Sequence, residues 1–343
     1  MSPERSSVAV LGAGPAGLAA ADTLARHGIA VDLIEKSTRP GGHAVQLTCK
    51  ATSACVTCGA CLVSDFLRRT AGSPDIRWHL NQAVQNIRSG QTFSLHLEAA
   101  GRHTPIDAAA ILIAIGFQVY DASAKPYGYG RLANVLTNLD LERRLKQHAR
   151  IERPSDGTPP RSIAFIQCVG SRDARLNHLW CSRFCCASAL RMARRIRHLH
   201  PETEVTVFYI DIQTFGKDFQ TAYAQMRQEL RFIRAIPGDI VAAEADGCAV
   251  NYFDPDSGKA RETVFDLVVL STGMTPSPDH ARLAKLLDWP LAAHGFFPEE
   301  GRPDGVFCAG AAQGPMTIAE SVASGTRAAW RIIEYLRERG RKI

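Results

Sequence analysis

Ser7-Val8-Ala9-Val10-Leu11-Gly12-Ala13-Gly14-Pro15-Ala16-Gly17 decides the fold. Ser7 to Leu11 is a short β-prone run. Leu18 to His27 reads as an alanine-rich helix, and Gly28 is placed to end it. Ala30 to Ile34 predicts a second strand that closes on Glu35. Strand, glycine turn, helix and strand in this order are the context in which such glycines bind a dinucleotide. Gly12 permits the tight turn, Gly14 lets backbone approach a pyrophosphate, and Gly17 lets the helix pack close to the sheet. The helix start at Pro15 and Ala16 offers free N–H groups and a positive dipole end to phosphate. Glu35, with Lys36 beside it, can accept hydrogen bonds from ribose hydroxyls and would repel a ribose phosphate. A merely structural glycine turn is the competing reading.

Two further stretches favour FAD over NAD. Arg39-Pro40-Gly41-Gly42-His43 follows the second strand, and a glycine pair there lets backbone run beside the isoalloxazine or pyrophosphate. Gly305 to Gly310 predicts a strand that leads through Ala311 to Pro315 into Met316, Thr317 and Ile318, a helix start that could present N–H groups to the flavin. Together with Ile111 to Gly116 and Val268 to Gly273, these features resemble two-dinucleotide-domain flavoproteins such as thioredoxin reductase. The resemblance implies an α/β fold of two Rossmann-like dinucleotide-binding domains with FAD, and it covers nearly the whole chain.

The middle of the chain departs from that pattern. The strand expected at Ser162 to Gln167 ends in Cys168-Val169-Gly170-Ser171, with cysteine where a second phosphate loop would lie. The next strand, Glu204 to Ile210, ends at Asp211, read as the remnant of a ribose-binding acid. The expectation is a Rossmann shape that binds metal rather than NAD(P)H. The loop chemistry of Arg153 to Pro160 sets one boundary and the prolines at 276 and 278 another. Residues 1–153 and 279–343 are thus assigned to an FAD-binding domain, and 154–278 to a second domain carrying cluster cysteines.

Ten cysteines in a chain without an evident export signal argue for metal or redox chemistry rather than a disulfide framework. Cys168, Cys181, Cys185 and Cys186 place thiols at a strand end and a helix start, as a [4Fe–4S] cluster requires. Buried structural cysteine is the alternative. Cys49, Cys55, Cys58 and Cys61 form a second group. Its spacing suits a second iron–sulfur cluster, a redox dithiol of Cys55 and Cys58, or tetrahedral zinc. Cys248 and Cys308 are expected in the core. The net charge of +6 is spread over basic helix faces. Those faces read as solvated surface rather than a nucleic-acid site, since aromatic residues are not interleaved with them. No apolar run approaches the roughly 18 residues of a membrane span, and Met1 to Ser7 carries no leader-like block, so the cytoplasm is expected.

Gln167 to Asp173 and Cys181 to Cys186, with Gly128-Tyr129-Gly130, Asn134 to Leu139 and Glu142-Arg143, resemble the HdrA family of heterodisulfide reductase. The resemblance implies an electron-transfer subunit with FAD and a cluster on Cys168, Cys181, Cys185 and Cys186. In methanogens that family performs electron bifurcation. The short length resembles the form found in bacterial sulfur-oxidising complexes, which implies other Hdr-like subunits and a lipoate-binding protein as partners, and a homodimer. Arg191 is a candidate flavin tuner or an exposed helix residue. The rivals are an NAD(P)H-dependent disulfide reductase using Cys55 and Cys58, and a scaffold protein with a structural cluster.

Overall fold

The structure is a computed structural model that describes residues 7–341 apart from 54, 100, 149, 214 and 216–218. The leader reading of Met1 to Ser7 falls, all but its last residue, outside the described residues, as does Lys342. The chain divides into two compact units. One holds residues 1–45, 59–118 and 276–343, and the other 46–58 and 119–275.

The first unit is built on a five-stranded sheet in the order Val306–Cys308, Ala110–Ile113, Ser7–Leu11, Ala30–Glu35 and Ile76–Leu80. Every pairing in it is parallel. The central strands Ser7–Leu11 and Ala110–Ile113 read as near-continuous apolar runs because helices cover the sheet, and both are buried throughout. The helices Pro15–Ala25 and Ile318–Glu338 pack against one another over this sheet. Their contact is close because Gly325 has no side chain, and a Cβ there would lie 2.0 Å from the Ala16 carbonyl oxygen. The antiparallel strands Ala83–Ser89, Phe93–Ala99 and Arg102–Ala108 form a separate layer.

One buried charge ties two strands of this sheet. Asp32 stands in register with Arg77 and accepts hydrogen bonds from Arg77 Nε at 2.9 Å and Nη2 at 2.7 Å, while His79 Nε2 lies 2.9 Å away. Burial pushes the Asp32 carboxyl up, but the hydrogen bonds from His79 and Arg77 and the charge of Arg77 outweigh it, and the net value is lowered. A lowered folded value means that the stabilisation is complete above the unfolded value of about 4 and is lost as pH falls through the folded one. Asp32→Asn should therefore cost about 1–3 kcal/mol at pH 7, and progressively less as pH falls below the unfolded value toward the folded one, as read by urea unfolding across an acid pH series.

The second unit repeats the plan. Its parallel sheet runs Arg231–Ile233, Glu204–Phe208, Ser162–Val169, Leu267–Thr272 and Val135–Thr137. The helices Asn138–His148, Cys185–Leu199 and Phe219–Glu229 belong to it. Asp239–Ala242, Cys248–Asp254 and Lys259–Phe265 form its antiparallel layer.

The boundary expected at 153/154 is displaced to 118/119. Val135–Thr137 pairs with Leu267–Thr272, and Leu141, Leu145 and Ile151 lie in the same hydrophobic core as Phe165 and Leu190. The loop from Arg153 to Pro160 is therefore internal to the second unit. Residues 46–58 also leave the first unit. Lys50 and Glu142, 2% and 1% exposed, form an ion pair at 2.6 Å, and Thr48 N–H donates to Glu142 Oε2 at 2.9 Å. The exit expected between Met274 and Asp279 matches the division at 275/276.

Candidate functional site

The first unit carries an open cleft beside the glycine turn, lined by Gly12, Glu35, Lys36, Gln82, Asp279 and Arg282 among others. Gly12 has φ 105°, and a Cβ on it would sit 2.5 Å from the Ala114 carbonyl oxygen. A Cβ on Gly14 would meet nothing within 4 Å, so the turn is open on that side. The helix Pro15–Ala25 starts there with Gly14 as N-cap and no side-chain cap, leaving its first N–H groups to a ligand. Glu35 braces the turn, since its Oε2 accepts the Ala13 N–H at 2.9 Å and its Oε1 accepts the Ser37 N–H at 2.9 Å. The lone pairs left on these oxygens are what a ribose would use.

The other expected glycines converge on the same turn. A Cβ on Gly42 would approach Gly14 Cα at 3.3 Å, and one on Gly310 would approach Ala16 Cβ at 2.6 Å. Gly41, Gly42 and Gly116 all adopt positive φ. His43 packs against Phe117 with the rings tilted by 38° and their centroids 4.8 Å apart. Gly310 and Ala311 begin a short turn, and beyond Pro315 and Met316 the Thr317 side chain caps the helix that starts at Ile318. Sequence reasoning missed Gln82, Asp279 and Arg282. Lys36 Nζ lies 2.7 Å and Arg282 Nη2 3.0 Å from Asp279, and the Gln82 Oε1 is buried without a partner. No local motif marks these three, because the loop and helix that carry them meet only in the folded unit. A glycine-walled cradle with uncapped N–H groups and an unpaired amide oxygen fits the adenosine and pyrophosphate of a dinucleotide.

The second unit brings four thiols into each other's electrostatic range. Cys168 sits in a bulge with φ 61°. Burial pushes its thiol up to about 12, Cys186 and Cys181 add to that, and Arg172 opposes it. Cys181 lies in the loop before the helix, where Arg183, at φ 63°, donates its N–H to the sulfur at 3.3 Å. Cys185 and Cys186 open the helix Cys185–Leu199 and are 1% and 3% exposed. The Cys185 thiol donates to Cys186; that bond and burial together raise the Cys185 value, while the same bond lowers that of Cys186 against the opposing effect of burial. Among the described residues no three histidine, cysteine or acidic side chains are gathered closely enough to grip a single metal ion. Four soft thiols, two of them in one helical turn, match a multinuclear core, whose iron would displace the thiol protons.

The second cysteine group divides between the units. Cys49, Cys55 and Cys58 belong to the second, whereas Cys61 lies in the helix Ala60–Ala71 of the first. Thr57, at φ 47°, donates its N–H to Cys55 Sγ at 3.4 Å. Arg191 is half-buried, which lowers its value, while thiolates at Cys58 and Cys55 raise it, so the guanidinium stands within range of that pair. It also lies 5.8 Å from the centre of the Phe219 ring. Cys248 is in the core, its thiol pushed up to about 11 by burial, and burial pushes Cys308 up as well.

The place of a second phosphate loop is filled. A Cβ on Gly170 would meet the Tyr120 ring at 2.1 Å. Asp211, at the position of a ribose acid, is held by both Arg172 nitrogens and by Gln213 Nε2 at 2.9 Å.

Residues 6–155 match the family model described as pyridine nucleotide-disulphide oxidoreductase. The chain is 39% identical over 241 residues to an HdrA iron-sulfur subunit of CoB–CoM heterodisulfide reductase in Methanopyrus kandleri, covering 66% of this chain and 37% of that one. It is 40% identical over 235 residues to the corresponding iron-sulfur subunit in Methanocaldococcus jannaschii, covering 64% and 36%. The chain thus spans little more than a third of the length of these curated relatives. Thioredoxin reductase of T. acidophilum superposes with a TM-score of 0.65 at 17% identity, over 98% of this chain and 99% of that one. That of Lactococcus lactis gives 0.65 at 18% identity, over 97% and 100%. These likenesses give the fold as that of the thioredoxin-reductase-like flavoproteins. Over some two thirds of its length the chain is similar to the HdrA subunits of heterodisulfide reductase.

Proposed function

We propose that this chain is a flavoprotein oxidoreductase subunit that passes electrons between FAD on its first unit and a [4Fe–4S] cluster on Cys168, Cys181, Cys185 and Cys186 of its second. The observation that supports this reading is that those four thiols lie within one another's electrostatic range, beside the strand end where a nucleotide-binding domain would keep its phosphate loop. FAD exchanges electrons in pairs and a cluster passes them singly, which is the chemistry the two groups supply.

The chain's own residues do the rest. Gly12, Gly14 and Gly17 with Pro15 and Ala16 admit the pyrophosphate, Glu35 and Lys36 meet the ribose, and Gly41, Gly42, His43 and Gly116 form the wall beside it. Gly310, Ala311, Pro315, Met316, Thr317 and Ile318 bring the second helix start to the flavin. Arg191 supplies a fixed positive charge to the thiol pair Cys55 and Cys58, which with Cys49 is the candidate for a second redox or metal site. Tyr120 over Gly170 and Arg172 on Asp211 disfavour NADH as the direct donor.

Other Hdr-type subunits are the expected partners. By resemblance, the setting is cytoplasmic sulfur oxidation with a lipoate-binding protein, and the chain acts as a homodimer. Among the described residues no helix is long and apolar enough to cross a membrane. Anaerobic purification with iron, sulfide and flavin counted per polypeptide tests the reading. About four irons and four sulfides with one FAD are expected for a single cluster, and iron-free protein from oxygen-excluded cells refutes it.

A further inference from the structure

The strand that carries Cys168 is interrupted by a bulge. Ile166 pairs with Leu270, and pairing resumes at Val169 with Thr272, so that Gln167 and Cys168 stand opposite Ser271. Polar side chains crowd this bulge and the turn after it. Gln167 is 5% exposed, Ser171 1% and Ser271 0%. Neither amide atom of Gln167 has a hydrogen-bond partner in the protein, and neither do the hydroxyls of Ser171 and Ser271.

Buried polar groups without partners destabilise a fold, and native proteins satisfy nearly all of them. Three such residues in one bulge call for a shared partner from outside the chain. The bulge itself supplies Cys168. Ser171 is tied to the other cysteine loop, because a Cβ on Gly273 would lie 3.1 Å from Ser171 Oγ and 2.6 Å from the Oγ of Ser182, which follows Cys181. Ser171 N–H also donates to the Cys168 carbonyl at 3.2 Å. Gln167 has two amide hydrogens to give and each serine one, while thiolate and sulfide sulfur only accept.

We infer that Gln167, Ser171 and Ser271 donate hydrogen bonds to the sulfur atoms of the cluster held by Cys168, Cys181, Cys185 and Cys186, and thereby set its potential. This rests on the cluster reading above. Reduction adds negative charge to the sulfurs, so each donor stabilises the reduced form more than the oxidised one and raises the potential. The residues position and tune, and carry no electrons themselves.

The experiment is an anaerobic, EPR-monitored redox titration of the full chain and of Ser271→Ala, Ser171→Ala and Gln167→Leu, with iron and flavin counted for each. Full iron with a midpoint moved to more negative potential is expected. Ser271→Ala should change the reduction equilibrium about tenfold, which is about 59 mV for one electron. The iron-free form of Ser271→Ala should melt no lower than its iron-free parent, since the variant only deletes an unpaired buried hydroxyl. A purely structural role would leave the midpoint where it was. Parental midpoints in all three variants at full iron content would overturn this inference and leave the cluster reading standing. A parent without iron would overturn both.

Discussion

Alanine at Cys185 should strip the anaerobically isolated protein of its iron and acid-labile sulfide while leaving it yellow, whereas alanine at Cys248 should change neither. Both side chains are 1% exposed, so the comparison holds burial constant. Cys185 shares its thiol hydrogen with Cys186 and lies in range of Cys168 and Cys181, while burial, Arg153 and Asp266 are the influences on Cys248. A ligand role predicts loss of the metal at the first position alone. A packing role predicts a similar modest loss of stability at both, of the size expected for deleting a small buried group. Flavin should persist in each variant, because the glycine turn and cleft belong to the other unit. Iron analysis with the visible spectrum decides it, and equal iron in both variants removes Cys185 from the ligand set.

Lys50→Met should cost about 3–5 kcal/mol in urea unfolding, because it leaves the Glu142 carboxylate buried beside an apolar chain. Burial pushes the Glu142 carboxyl up even with Lys50 opposing it. Without the ammonium its folded value climbs further. A raised folded value means that the contribution is fully present below the unfolded value, near 4.3, and is lost as pH rises through the folded one. The deficit of Lys50→Met should accordingly be small near pH 4 and grow toward pH 8. Adding Glu142→Leu should recover most of the loss, since a well-packed apolar pair is often no worse than a buried ion pair. A double variant no more stable than the single one would mean that the ion pair has some further task in holding 46–58.

The glycine turn was legible because each of its requirements is local. Tight turn, close approach and helix start fall within Gly12 to Gly17, and Ala30–Glu35 follows on schedule. The cluster candidates were legible for a similar reason, since Cys181, Cys185 and Cys186 share one loop and one helical turn. What stayed hidden depends on pairing across long separations. Nothing in Val135–Thr137 announces that it will join Leu267–Thr272, and so the 119–153 segment was assigned to the wrong unit. Lys50 reads as an ordinary surface lysine until Glu142, ninety-two residues on, is found beside it. The same holds for Gln82 and Asp279 at the dinucleotide cleft. Asp211 looked like a vestigial ribose acid, and only the fold reveals that Arg172 has taken its carboxylate.

The fit of Gly325 against Ala16 has a consequence for biosynthesis. A ribosome releases the first strand, the glycine turn and its helix long before the edge strand Val306–Cys308 and the partner helix that complete that unit. Residues 119–275, with 46–58 already released, form a body of their own and can condense while the nascent chain is still growing. On the cluster proposal, iron thus reaches its thiols co-translationally, while the vitamin-derived group waits for residues 306–338.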